Sequence, residues 1–307
     1  MLVWNPYYVT QISFQFSFLV TIGLICGVPR VVEWLRVGPL WLRQLLAVTF
    51  VAEWASFPVS IYYFHHYSLL SAPANMLIVP VYSIVVIPYS LVVLGMSLVS
   101  ERLGFALARP IHWINDLIWD GIGWLNLAEA PRMVWAQPAL WWVIGYYVLT
   151  TIAFLAFSRS MSQDADTIVF QPKAPPRWAK AIILLICMSW LFYGYDPARF
   201  STAAEVHVLD VGQGDAILIR TPENKHILID GGDWFSFPKE NWRERRDPFT
   251  VGKDILVPLL RKRGVKEIDT LIITHHDYDH MGGLLDVMRH IPIREIWFNG
   301  RLKESDY

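Results

Sequence analysis

The stretch Thr274–His275–His276–Asp277–Tyr278–Asp279–His280–Met281–Gly282–Gly283 (THHDYDHMGG) decides how the second part of this chain folds. It follows the apolar run 269–274 (DTLIIT), which reads as a buried strand, and leads into 281–290, which reads as a helix. In an extended loop alternate residues point the same way, so His275, Asp277 and Asp279 should converge near the strand's carboxyl end. His280 joins them as the chain turns into the helix, and Gly282 and Gly283 permit close approach there. Two imidazoles and two carboxylates in this pattern suit a site for one or two divalent ions. Imidazole favours zinc, and carboxylates shift the preference toward harder ions such as manganese. A soluble surface has no structural need for such a cluster. His276 and Tyr278 are expected to point away from it.

Working upstream, 206–211 (VHVLDV), 216–221 (AILIRT) and 226–232 (HILIDGG) are short β-branched runs separated by turn residues. They predict three consecutive strands, antiparallel to one another. Residues 252–263 predict a helix with Ile255, Leu256, Leu259 and Leu260 on one face, and 294–298 a further strand. The class is α/β, with a helix laid over a mixed sheet. Between strand and helix, Lys239, Arg243, Arg245 and Arg246 lie among Trp234, Phe235, Phe237 and Trp242. That mixture suits single-stranded nucleic acid, or is a solvated loop.

The first part is a different material. Residues 1–200 hold 11 Lys/Arg and 9 Asp/Glu, whereas 201–307 hold 15 and 18. A charge-poor segment followed by an ordinarily charged one excludes a single soluble globule, and the net charge of -1 gives no bulk electrostatic case for nucleic acid. Candidate membrane spans are 12–28, 44–64, 69–99, 138–157 and 180–195. Pro73, Pro80 and Pro88 make 69–99 either a discontinuous helix lining a path or a kinked span. Residues 111–127 predict an amphipathic helix, lying on the membrane, packed across its mouth, or packed on the other spans. Cys26 and Cys187 lack metal-site spacing. The loops 29–43 (Arg30, Arg36, Arg43) and 158–180 (Arg159, Lys173, Arg177, Lys180) are expected to be cytoplasmic. An even number of crossings then separates them, and 180–195 leads outward. Arg102 and Arg109 run against that assignment.

The string THHDYDHMGG resembles the metallo-β-lactamase signature His-x-His-x-Asp-His, with Asp277 in place of the second histidine. LDVGQGDAILI (209–219) and ILIDGG (227–232) resemble the strands of ComEC-type competence proteins, which carry this Asp variant. ISFQFSFLVTIGLI (12–25) and FPVSIYYFHHYSLLSAPANMLIVPVYSIVVIP (57–88) resemble the final segments of that family's membrane domain. The resemblance implies a multi-pass α-helical membrane domain followed by an α/β domain of the metallo-β-lactamase-like αββα sandwich type, of which the N-terminal half is present. The expected division is 1–157 for the membrane domain, 158–203 for a linker with a last span, and 204–307 for the lactamase-like half. The sequence is expected to be a fragment at both ends.

The resemblance also implies a function: a channel component passing single-stranded DNA across the cytoplasmic membrane in natural transformation, its outer domain hydrolysing the strand not imported. By the same resemblance His275 and Asp277 hold one divalent metal and Asp279 and His280 a second, the latter pair being catalytic. Asp210, Asp215 and Asp230 support the site from neighbouring strand ends. Implied partners are DNA, the membrane, other DNA-uptake proteins and a further copy of the chain. Two other readings stay open: a membrane-tethered metallohydrolase of another ester, and a channel subunit that docks DNA without catalysis.

Overall fold

The computed structural model describes residues 5–36, 38–127, 132–158, 176–233 and 249–300. The elements in chain order begin with helices α1 (Ile12–Trp34) and α2 (Leu40–Phe64), strand β1 (His66–Ser68), and helices α3 (Ser71–Pro80) and α4 (Ile87–Val99) joined by a π-helical stretch, Val81–Val86. There follow α5 (Glu101–Leu127), β2 (Arg132–Val134), α6 (Leu140–Ser158) and α7 (Arg177–Tyr195). The last part holds β3 (Glu205–Val208), β4 (Ile217–Arg220), β5 (His226–Ile229), α8 (Val257–Lys262), β6 (Ile268–Ile273), α9 (Tyr278–Met281), α10 (Leu284–His290) and β7 (Ile293–Phe298). Of the described residues, those up to Val59 and from Tyr67 to Met133 form one compact unit. Ser60–His66, Val134–Phe157 and the residues from Pro176 onward form the other.

In the first unit, α1, α2 and the continuous helical run Ser71–Val99 are long and apolar enough to cross a membrane. α1 extends past the expected loop boundary, so Pro29 and Arg30 lie inside it. Arg30 donates to the Cys26 carbonyl at 2.8 Å, in the turn that Pro29 disturbs. Gly23 and Gly27, one turn apart, admit Ala55 and Val51 of α2, so the two backbones meet through small residues. The 69–99 run is not broken. Pro73 lies in the first turn of α3, and Pro80 and Pro88 flank the π stretch, where the Ile87 N–H reaches the Tyr82 carbonyl instead of the usual α-helical acceptor. Near the middle of α2, Glu53 accepts from Tyr67 Oη (2.9 Å), Ser71 Oγ (3.2 Å) and Asn75 Nδ2 (3.1 Å). Three donors from the following segment thereby solvate a carboxylate that lipid would not. The amphipathic helix begins earlier than expected, at Glu101, and packs on α4 instead of lying free.

In the second unit α6 and α7 are of membrane-crossing length and composition. They are stapled reciprocally. Trp142 Nε1 donates to the Trp190 carbonyl (2.9 Å) and Trp190 Nε1 to the Trp142 carbonyl (3.2 Å). Each indole lies over a glycine of the facing helix, Trp142 on Gly194 and Trp190 on Gly145.

The sheet has the order β3-β4-β5-β6-β7. β3, β4 and β5 are antiparallel as their spacing predicts, while β5–β6 and β6–β7 are parallel. Alternation sends Leu218, Leu228 and Leu271 into a core shared with Leu256, Leu260, Leu284 and Val287 of the helical layer. The opposite face carries Val206, Ile219 and Ile227 in one row and Val208, Ile217, Ile229, Ile272 and Trp297 in the next. Val206, Val208 and Trp297 are exposed, so this face presents an apolar surface opposite the helical layer.

The start of β6 is seated on the ends of α6 and α7. Gln137 N donates to the Lys262 carbonyl (2.9 Å). The Lys266 ammonium lies 3.7 Å from the centre of the Tyr195 ring and 3.4 Å from Asp196. β6 has six residues, so its carboxyl end stands about 20 Å from that seat.

Two predictions rest on this packing. A Cβ at position 194 would overlap the Trp142 indole. Gly194→Ala should therefore lower stability by about 1–3 kcal/mol, read as a lower melting temperature in detergent. Burial holds the His226 imidazole below its ordinary pKa, with Asp269 offsetting part of the effect, and the Arg220 guanidinium holds Glu205 below the usual carboxylate range. Both contributions are complete above the unfolded values of about 6.5 and 4.3 and are lost as pH falls through the lowered folded ones. Denaturant unfolding should show stability dropping on acidification from about pH 7, with a flatter profile in His226→Gln.

Candidate metal centre

The parallel pairing of β5 with β6 sets the site. It aligns the carboxyl ends of the two strands, so Asp230, directly after β5, lies beside Thr274, directly after β6. The Asp230 N–H donates to the Ile272 carbonyl (2.9 Å), continuing the ladder by one residue. Asp230 then takes a left-handed conformation (φ 54°) and is buried. Its carboxylate accepts from the Thr274 N–H at Oδ1 (2.9 Å), and at Oδ2 from the Thr274 hydroxyl (2.5 Å) and His280 Nδ1 (3.0 Å).

This network assigns both imidazole tautomers. Thr274 Oγ1 has one proton and gives it to Asp230. It must therefore accept from His275 Nδ1–H, 2.8 Å away. His280 Nδ1–H points to Asp230. Both rings are left with an Nε2 lone pair free for a cation. The two ring centres are 3.7 Å apart.

Ligand-capable atoms of Asp230, His275 and His280 lie within 4.8 Å of one another, and so do those of His275, Asp277 and Asp279. His275 belongs to both groups, with Nε2 3.7 Å from Asp277 Oδ2, and His280 Nε2 is 3.7 Å from Asp279 Oδ2. All four expected ligands thus gather at the end of β6. The chain is extended only to Asp277; α9 then begins, so a helical turn presents Asp279 and His280. His276 is in neither group. Imidazole Nε2 atoms flanked by carboxylates are a donor set that fits zinc or manganese.

The supporting aspartates divide. Asp230 is at the heart of the network, closer to the ligands than its sequence position suggested. Asp210 and Asp215 are exposed, and neither is in a ligand group. Asp215 acts through its backbone, its carbonyl accepting from the Gly232 N–H (3.0 Å). Gly214, at φ 79°, lies against the Asp279 carbonyl, so the Gly212–Gln213–Gly214 turn braces the metal loop. Thr274 was missed in the sequence, although it directly precedes His275. So was buried Asp233, whose carboxylate lies where a side chain at Gly282 would project. Lys239, Arg243, Arg245 and Arg246 lie outside the described residues.

The description "Competence protein" matches residues 1–160, and "Metallo-beta-lactamase superfamily" matches residues 209–305. The chain belongs to the competence-protein family. It joins a competence membrane domain to a metallo-β-lactamase-like domain. It is 30% identical over 306 residues to ComE operon protein 3 of Bacillus subtilis (strain 168), covering 96% of this chain and 36% of that protein. It is 34% identical over 93 residues to Competence protein ComA of Neisseria gonorrhoeae, covering 30% of this chain and 11% of that protein. The chain thus spans about a third of the length of the first relative and less of the second.

Asp230→Asn can no longer accept from all three donors. It should weaken zinc or manganese binding about 10–100-fold, measured by competition with a chromogenic chelator, with the fold retained by circular dichroism. Gly214→Ala, which pushes on the Asp279 carbonyl, should weaken binding in the same assay.

Proposed function

We propose that this competence-family chain is part of the apparatus moving single-stranded DNA across the cytoplasmic membrane, and that its C-terminal domain hydrolyses phosphodiesters of the strand left outside. The observation that carries the reading is the imidazole–carboxylate cluster on a domain seated directly on membrane-length helices. His275 and Asp277 would hold one ion and Asp279 and His280 a second. Bound divalent ions would supply positive charge for a phosphodiester and lower the pKa of a water. Thr274 and Asp230 accept the Nδ1–H of His275 and His280, which aims each Nε2 at the cluster. Asp279, half exposed beside His280, is placed to take up a proton at the open side of the cluster.

An outward position for this domain is supported by charge placement, with Arg36 before α2, Arg43 in its first turn, and Arg177 and Lys180 opening α7 on the cytoplasmic side. If Ser71–Val99 crosses and α5 returns along it, the number of crossings between those ends is even.

The test uses membranes containing the whole chain and end-labelled DNA. His275→Ala with Asp279→Ala should reduce metal-dependent cleavage at least about 100-fold, and gene disruption should abolish uptake of transforming DNA. Cleavage unchanged in the double variant would overturn the site, and uptake unchanged after disruption would overturn the transport role.

A further inference from the structure

α5 carries an exposed stripe that the functions above do not use. Arg102, Phe105, Arg109, His112, Asp116 and Trp119 recur at alternating steps of three and four, which places them on one face of the helix. All six are exposed, Phe105 at 78% and Trp119 at 68%. The opposite face is packed on the preceding helix.

The depth of the stripe is set by that packing. Only Ser100 separates α4 from α5, so the two form a tight antiparallel hairpin. Gly104 abuts Ser97, and the Tyr82 hydroxyl donates to Asn115 Oδ1 at 2.7 Å. These contacts are about 16 Å apart along α5. Arg109 and His112 lie between them, alongside the apolar run Ser71–Val99, itself of membrane-crossing length. A helix resting on the membrane surface would not be held along a span in this way. Lipid at that depth cannot cover an arginine, a histidine and an aspartate on one face, whereas water can.

Resting on the proposed transport role, we infer that the exposed stripe of α5 lines a water-filled path through the membrane for a single-stranded nucleic acid. Arginines spaced between aromatic rings offer phosphate contacts and stacking surfaces that do not depend on base identity. Trp113, 73% exposed, widens the stacking surface on its flank. Asp116 and Asp120 balance the two arginines, and His112 Nε2 lies 3.7 Å from Asp116. The lining therefore holds a polyanion weakly, as a path must if the strand is to leave it.

The test replaces Cys26 and Cys187 with serine in the whole chain and introduces Phe105→Cys, Arg109→Cys, His112→Cys or Asp116→Cys singly, with Leu91→Cys, exposed within α4 and away from the hairpin turn, as the lipid-side control. In cell membranes, a charged, membrane-impermeant thiosulfonate should label the stripe variants at least about 10-fold faster than the Leu91→Cys control. Engaged single-stranded oligonucleotide should slow that labelling. Labelling only by a lipophilic maleimide would show lipid on the stripe, and labelling by neither reagent would show another protein segment there. Water-accessible thiols that DNA fails to protect would remove the strand from this face. Each of these outcomes overturns the inference. Loss of DNA uptake on gene disruption together with any of them would leave the transport role standing and remove this lining alone. Uptake that survives disruption defeats the transport role whatever the labelling.

Discussion

A single buried carboxylate, that of Asp230, fixes the candidate metal centre. One oxygen takes the Thr274 amide, and the other takes the Thr274 hydroxyl and the His280 ring N–H. Because the hydroxyl proton is committed, the direction of the neighbouring bond to His275 is settled as well. One acidic group thus determines which nitrogen is free on each imidazole, and a free Nε2 is the condition for either to ligate a cation. Asp230 adopts a left-handed backbone conformation that few non-glycine residues take, and a full set of hydrogen bonds holds it there.

The membrane half obeys a different constraint, that every backbone and side-chain polar group must find a partner without water. The π stretch in Ser71–Val99 lies between Pro80 and Pro88 and changes hydrogen-bond register there. Glu53 is enclosed by three donors. α6 and α7 exchange indole-to-carbonyl bonds over paired glycines. Against that economy the charged stripe of α5 stands out, because no described element covers it.

Much of this architecture was legible in the sequence because it depends on local periodicity. The five apolar runs became five helices of crossing length, lengthened at their ends where Pro29 and Arg30 proved compatible with a helix. The β-branched runs became strands within three residues of their expected limits, and the His/Asp string marked the end of β6. Less legible was anything that depends on two distant segments meeting. Thr274 looked like the last residue of a strand, and nothing along the chain singled out Asp233. The sequence left α5 either on a surface or packed on the spans, and its contacts with Ser97 and Tyr82 tied it to a span.

The amino-acid order by itself determined which segments are apolar enough for lipid, which alternate as strands, and which residue types gather in the metal loop, since each is a property of neighbours along the chain. Tertiary structure alone decided that β5 lies parallel to β6, that Asp230 therefore governs both histidines, and that the arginines of α5 stand beside an apolar helix. The physical reason is the same in each case. Strand pairing and helix packing are chosen by burial and hydrogen bonding between segments far apart in sequence, and no local pattern encodes which partner will be met.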